Sequence, residues 1–265
     1  MRMNNVEQTL MSYLTGDFYY KKNNPIKISQ SGIITSQNTV IGYIYDGETK
    51  DGERYYNFVV LTMQNFKSQR NWETHKKQLA SAANKYGYMV VFVPTIDIFM
   101  DCENNETSSS GNFFDRPYGE LYKSLTKVAK YSQDQDLQTA ALAVIDYEFA
   151  ESPAILSYNQ LIDGEYIHAE EVLCRYLDCS IEYDSKTFMM MLEPCVDCLK
   201  HMVACGAERI QFAALHKKKW TTTEFIDYTN DIWNKTILSN RGRPIYFGKV
   251  CNKYVEAFYK PKEAK

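Results

Sequence analysis

Four residues of this 265-residue chain combine types and spacing that can do chemistry: His168, Glu170, Cys195 and Cys198. Cys195 and Cys198 form the chain's one C-x-x-C pair, and Pro194 directly before it follows His168 by 26 residues. A catalytic zinc ion takes three protein ligands and keeps a further position for water, and one histidine with two cysteines supplies such a set. Cysteines three residues apart on the first turn of a helix face one ion, and the exposed N–H groups there favour their thiolates. Proline suits the entry to that helix, where no N–H bond is lost. His168 stands at the start of a second helix, so two helix N-termini flank the metal. Glu170 points in a different direction from His168 and reaches a metal-activated water without ligating the ion. Zinc lowers the pKa of such a water toward ~7, and a nearby carboxylate accepts its proton and returns it to a leaving group. Two other readings use the same residues. One is a structural zinc site drawing a further ligand from Cys174, Cys179, His201 or Cys205, and the other is a buried cysteine pair. A glutamate two residues past the histidine has no use in either.

The elements that must position these residues follow from periodicity. Val6, Leu10 and Leu14 recur at helical spacing, as do Trp72, Leu79, Ala83 and Tyr86, with Gly87 as a stop. Segments 39–45, 55–63 and 88–93 are rich in β-branched and aromatic residues and predict strands. A polar stretch, DCENNETSSSGNFFDRP over 101–117, buries little apolar surface and reads as a linker. It sets a domain boundary, with an N-terminal α/β unit over 1–117 and a second unit over 118–265. In the second unit, Leu121, Leu125, Val128 and Ala129 give a helix, and 140–145 and 154–158 give strands. Segment 168–177 is a helix, 187–192 a strand, 195–205 a helix ended by Gly206, and 209–214 a strand. Strands alternating with helices of this length indicate a layered α/β fold. Both units share the order helix–strand–strand–helix–strand, which hints that the first is a degenerate copy of the second.

Composition sets the broad class. The chain is 45% hydrophobic and 24% charged, enough for a core without covalent staples. No apolar run approaches the ~20 residues of a membrane span. Met1 to Thr15 lacks a secretory apolar core, so a cytoplasmic protein with no membrane partner is expected. Seven cysteines, an odd number, argue against a disulfide framework and make Cys102, Cys174, Cys179, Cys205 and Cys251 reduced thiols acting as small hydrophobes. The net charge of −3 is unevenly spread: residues 216–265 hold 11 Lys/Arg against 5 Asp/Glu, a net of +6, and the rest carries −9. A basic tail with Lys217–Lys219 and Arg241–Arg243 can contact phosphate, although a solvated surface is the commoner role of such residues. His201 sits six residues past Cys195, too far along its helix to join the ligands. Trp220 is a candidate for the pocket mouth.

The pattern H-x-E…P-C-x-x-C is the signature of zinc nucleobase deaminases. From about Tyr118 to Trp220 the chain resembles the cytidine deaminase-like superfamily. LEPC, and the AA after IQF, are similar to the branch of tRNA adenosine, guanine and riboflavin-pathway deaminases. CLKHMVACGAERIQF is equally similar to deoxycytidylate deaminases. The resemblance implies a three-layer sheet with helices on both faces and zinc between two helices. It also implies His168, Cys195 and Cys198 as zinc ligands and Glu170 as the proton shuttle. Asn159, in SYNQ, resembles an asparagine that contacts the substrate's sugar or base, and the backbone N–H near Ala169 matches an oxyanion-type donor. The expected activity is hydrolytic deamination of a cytosine- or purine-type ring in a small nucleoside or nucleotide, by a homo-oligomer. The alternatives are a deaminase acting on RNA (tRNA adenosine-type) or single-stranded DNA, and a non-catalytic zinc-binding structural partner.

Overall fold

The structure, a computed structural model, describes residues 4–16, 24–63, 72–93, 118–134, 138–146, 154–179, 185–214 and 246–249. The strands are β1 (Ile26–Ile28), β2 (Ile33–Ser36), β3 (Thr39–Glu48), β4 (Tyr55–Thr62), β5 (Met89–Val93), β6 (Ala140–Asp146), β7 (Ala154–Tyr158), β8 (Gln160–Ile162), β9 (Glu165–Ile167), β10 (Ser185–Leu192), β11 (Ala207–Ala214) and β12 (Tyr246–Lys249). The helices are α1 (Asn5–Thr15), α2 (Trp72–Lys85), α3 (Tyr118–Ala129), α4 (Ala169–Cys179) and α5 (Val196–Ala204).

Ten of these strands form one mixed sheet in the order β1-β2-β3-β4-β5-β7-β6-β10-β11-β12, and β8 with β9 makes a separate hairpin. β1 to β4 pair antiparallel, β4 pairs parallel with β5, and β6 is antiparallel to both β7 and β10. β10, β11 and β12 are parallel.

Side chains alternate between the two faces because a strand has period 2. Val59 and Leu61 of β4, Val90 and Phe92 of β5, and Leu142 and Val144 of β6 join one core cluster, with Leu10 of α1, Leu79 of α2 and Leu125 of α3. Their neighbours Phe58, Val60, Val91, Ala143 and Ile145 join the other, with Leu173 of α4 and Leu199 of α5. The fold is therefore mixed α/β in three layers, with helices on both faces of the sheet. Strands buried on both faces lose alternation in sequence and become apolar runs, as in MVVFV and AALAVI.

The polar stretch at 101–117 falls outside the described residues. On either side of it, strands join a single sheet through β5 and β7, which share one ladder pair, Phe92 with Leu156. The order of elements in the two halves is alike, but the order of strands is not. In the N-terminal half, the strand after α2 lies beside β4, the second of the preceding pair, and parallel to it. In the C-terminal half, the strand after α4 lies beside β6, the first of its pair, and antiparallel to it. The suggestion of a degenerate copy thus finds no counterpart in strand order.

Four elements were not legible from apolar periodicity: β1, β2, the β8–β9 hairpin and β12. The three sheet strands among them, β1, β2 and β12, span only 3, 4 and 4 residues, too short to show a period. The hairpin did carry a signal. Asp163 and Gly164 have φ of 52° and 85°, the left-handed pair of a two-residue turn, and Asp-Gly between alternating residues is its usual sequence.

Phe188 of β10 is fully buried under α4 and α5, in the same cluster as Leu173 and Leu199. Phe188→Ala should destabilise the protein by about 3–5 kcal/mol through the cavity it leaves. Urea unfolding followed by circular dichroism measures this as a lowered midpoint with an unchanged slope.

Candidate metal centre

α4 and α5 lie on the same face of the sheet and their N-termini carry the predicted ligands. The His168 carbonyl accepts the first helical bond of α4 from Val172 N at 3.1 Å, and the Cys195 carbonyl accepts that of α5 from Leu199 N at 2.9 Å. Both residues are therefore N-cap residues. Cys195 has the extended φ of −71° and ψ of 165° of a cap, and its Sγ accepts a bond from the Cys198 backbone N–H at 3.4 Å. A thiol here does what Ser or Asp does at other N-caps: it supplies an acceptor to the orphan donors of the first turn. Pro194, just outside the cap, has no N–H of its own to satisfy.

Three ligand atoms converge. His168 Nδ1 lies 3.2 Å from Cys198 Sγ and 3.6 Å from Cys195 Sγ, and one ligand atom from each residue falls within 4.8 Å of the others. A tetrahedral zinc with Zn–S near 2.3 Å and Zn–N near 2.0 Å gives N···S edges of about 3.5 Å. The observed separations bracket that value, so the donor set and its spacing both fit zinc. Among the described residues this is the one His/Cys/Asp/Glu group of such compactness.

The charges of the three groups are interdependent. The Cys195 thiol is pulled down to about 4, chiefly by the hydrogen bond from the Cys198 thiol and further by His168. The Cys198 thiol is pushed far up, first by that same bond and then by burial. His168 is raised to about 9, with the hydrogen bond to Cys195 as the largest cause. The cluster thus favours a thiolate at Cys195 beside groups that hold protons, and a divalent cation would take the place of those protons.

Glu170 is 6% exposed, in the first turn of α4. Burial raises its carboxyl pKa, while the His168 charge and a hydrogen bond with the Cys198 side chain oppose the rise. A carboxyl held above its usual range beside this cluster is suited to take up and return a proton.

Asn159 and Ala169 meet each other. The Ala169 N–H donates to Asn159 Oδ1 at 3.0 Å. Ala169 is the first residue of α4, so its N–H is one of the four that the helix cannot satisfy, and Asn159 satisfies it from across the hairpin. The backbone N–H that the resemblance offers as an oxyanion-type donor is thus engaged with Asn159. The bond also orients the Asn159 amide, since its oxygen must face α4 and its NH2 the other way.

The rival ligands stay out. Cys174 and Cys205 are buried, Cys179 is half-buried and His201 is exposed on α5, and none joins the cluster. All five described cysteines are free thiols. His216, Lys217–Lys219, Trp220 and Arg241–Arg243 lie outside the described residues, as do Cys102 and Cys251.

What stands here is a three-layer α/β protein with a His/Cys/Cys cluster between two helix N-termini and a buried glutamate beside it, the arrangement that the cytidine deaminase-like resemblance implies. No family model matches the chain, and no curated protein matches it. Among solved structures, the dCMP deaminase from the cyanophage S-TIM5 in apo form is similar at 17% identity and a TM-score of 0.36, over 50% of this chain and 96% of that one. The same deaminase in complex with dCMP and dUMP is similar at 16% and 0.34, over 49% and 94%. Likeness at these values carries no weight on activity, which rests on the site.

The cluster has a direct metal-binding test. After zinc loading and desalting, the chain should retain one zinc, and Glu170→Gln should retain it too, because the carboxylate does not ligate. His168→Ala, Cys195→Ala and Cys198→Ala should each lose it, as elemental analysis of the desalted proteins reads directly.

Proposed function

We propose that the protein is a zinc-dependent hydrolytic deaminase that converts the amino group of a cytosine- or purine-type ring to the oxo form with release of ammonia. One observation carries this reading: His168, Cys195 and Cys198 converge at two helix N-termini with the buried carboxyl of Glu170 beside them. A structural zinc site needs no neighbouring proton carrier.

His168, Cys195 and Cys198 would hold the metal. Bound zinc is a Lewis acid that brings a water's pKa toward neutrality and so supplies the nucleophile. The remaining work belongs to the chain. Glu170 accepts the proton of the attacking water and gives it to a ring nitrogen. It then transfers the second proton to the amino group, which leaves as ammonia as the C–N bond breaks and the carbonyl forms. Burial raises the proton affinity of Glu170, which favours uptake of the water's proton. Asn159, its oxygen anchored on Ala169, keeps two N–H donors for the sugar or base of the substrate.

A small nucleoside or nucleotide is the preferred substrate, because residues 1–215 carry a net charge of −9, and the family resemblance suggests a homo-oligomer, read as cytoplasmic. An acidic body repels a polyanion such as tRNA or single-stranded DNA.

Ammonia release from the zinc-loaded chain tests the proposal. The panel holds cytosine, adenine and guanine as bases, nucleosides and nucleotides, a pyrimidine intermediate of riboflavin synthesis, and short RNA and single-stranded DNA. One substrate should turn over, and Glu170→Ala should lower kcat by about 10²–10⁴-fold, the usual worth of a general acid–base group. Turnover confined to an oligonucleotide, with binding that weakens steeply in salt, would transfer the activity to nucleic acid. Silence across the panel with zinc bound would leave a non-catalytic zinc module.

A further inference from the structure

The seam between the two halves of the sheet is closed by a side chain as well as by a ladder. Beyond the single β5–β7 pair, the backbone of Val90 in β5 finds its partners on Gln160. Gln160 Oε1 accepts from Val90 N at 2.8 Å, and Gln160 Nε2 donates to Val90 O at 2.6 Å. The amide thus bonds both backbone groups of one residue, as a neighbouring strand would. Its other positions are also filled: Oε1 accepts from Asn84 Nδ2 of α2 at 2.7 Å, and Nε2 donates to Ser157 Oγ at 2.9 Å. A primary amide has two donor hydrogens and two lone pairs, so Gln160 is saturated, and it is fully buried.

The neighbours of Gln160 reach the same way. Ser157 Oγ donates to Val90 O at 3.0 Å, and Tyr158 OH donates to Asn84 Oδ1 at 3.0 Å. Asn84 also donates to Tyr88 O at 3.0 Å. Three of the four residues in SYNQ are therefore tied to α2 and β5, elements of the N-terminal half. The fourth, Asn159, is tied to α4 through Ala169 N–H. Asn159 sits between Tyr158 and Gln160, so its backbone is held on both sides by bonds to Asn84 and Val90. Ala169 itself lies between His168 and Glu170.

We infer that Gln160 is a positioning residue through which Asn84 and Val90 of the N-terminal half place Asn159, and hence the His168–Glu170 turn, over the metal cluster. The N-terminal half, on this account, is part of the site's support. Residues that orient metal ligands from outside the ligand set cost about 10–100-fold in metal affinity or activity when removed. Gln160 acts one step further out and falls at the lower end. Its consequence for turnover rests on the deaminase reading, but its consequence for α4 does not.

Amide exchange and cobalt binding test the inference on the full chain. The Ala169 N–H has Asn159 Oδ1 as its acceptor, so its exchange reports the position of Asn159, whereas Leu173 N–H reports the body of α4. Gln160→Met keeps the length and removes the amide. In this variant Ala169 exchange should speed up by about tenfold while Leu173 stays within about threefold of wild type, the pattern of a local opening. Cobalt(II) should still bind at one per chain, with about tenfold weaker affinity and altered ligand-field bands. Equal acceleration at Ala169 and Leu173, which a general loss of stability produces, overturns the inference, as does no change at Ala169. Asn84→Ala provides the second arm if Gln160→Met does not fold. It removes one of the two donors to Gln160 Oε1 and leaves Val90 in place, and it should show the same selectivity at a smaller size; equal or absent acceleration in it overturns the inference likewise. If wild type releases no ammonia from any substrate while Ala169 responds selectively, the deaminase reading fails and the positioning role stands.

Discussion

Two helix N-termini directed at one point impose the constraint on which this structure turns. Each presents backbone N–H groups with no partner inside its own helix, and together they make a region of positive potential that favours anions. The chain answers with a thiolate at the cap of α5, whose sulfur takes the Cys198 N–H, and with the Asn159 carbonyl at the head of α4. Cys195 is pulled to about 4 in that setting. At Cys195, the sulfur that caps α5 is also a candidate metal ligand. A buried glutamate at the second position of α4 then lies next to the cluster without being one of its ligands.

Holding these two ends together is a packing problem, and the face beneath them solves it with small and flexible side chains. Ala141, Ala143, Met190 and Met202 let the helices approach the sheet, while Phe188 and Phe212 fill the space between. The far end of α5 is held by charge. Lys186, almost buried, donates to the Cys205 carbonyl at 2.5 Å, placing a cation at the negative end of the helix. Cys205 Sγ lies 3.5 Å from the same ammonium. The thiols of Cys174 and Cys205 pack between α4 and α5 as part of the core, in keeping with the small hydrophobe that a free cysteine usually is.

The N-terminal half enters through its polar interior. A sheet that continues from β4 and β5 into β7 and β6 buries backbone groups at the join, and a buried N–H or C=O without a partner costs about 1–3 kcal/mol. One ladder pair would leave Val90 exposed to that cost. The Gln160 amide offsets it, and the aromatic ring of Tyr158 packs against Phe92 and Tyr131, with ring centroids 6.2 and 5.9 Å away. The join is thus made of a saturated polar network inside an aromatic cluster, which specifies one register.

Much of this was legible beforehand, for identifiable reasons. The candidate site was visible because metal chemistry restricts residue type and spacing so strongly that His168, Glu170 and the Pro-Cys-x-x-Cys run have few other uses. The helices and central strands were visible because burial on one face or on both leaves a period or an apolar run in the chain, as in residues 72–85 and 89–93. The layered α/β class followed from the alternation of those elements, and the three layers from the family resemblance. Tertiary structure alone decided the rest. The order of strands depends on which edges meet, and two halves with the same element order pair differently here. The partner of the Ala169 N–H depends on Asn159 arriving from ten residues away around a hairpin. Gln160 carries no local pattern at all, because a polar side chain in a buried seam is explained only by the distant backbone of Val90, 70 residues earlier, whose hydrogen bonds it completes. Local chemistry repeats in sequence and can be read there, whereas satisfaction of buried polar groups is a property of the folded whole.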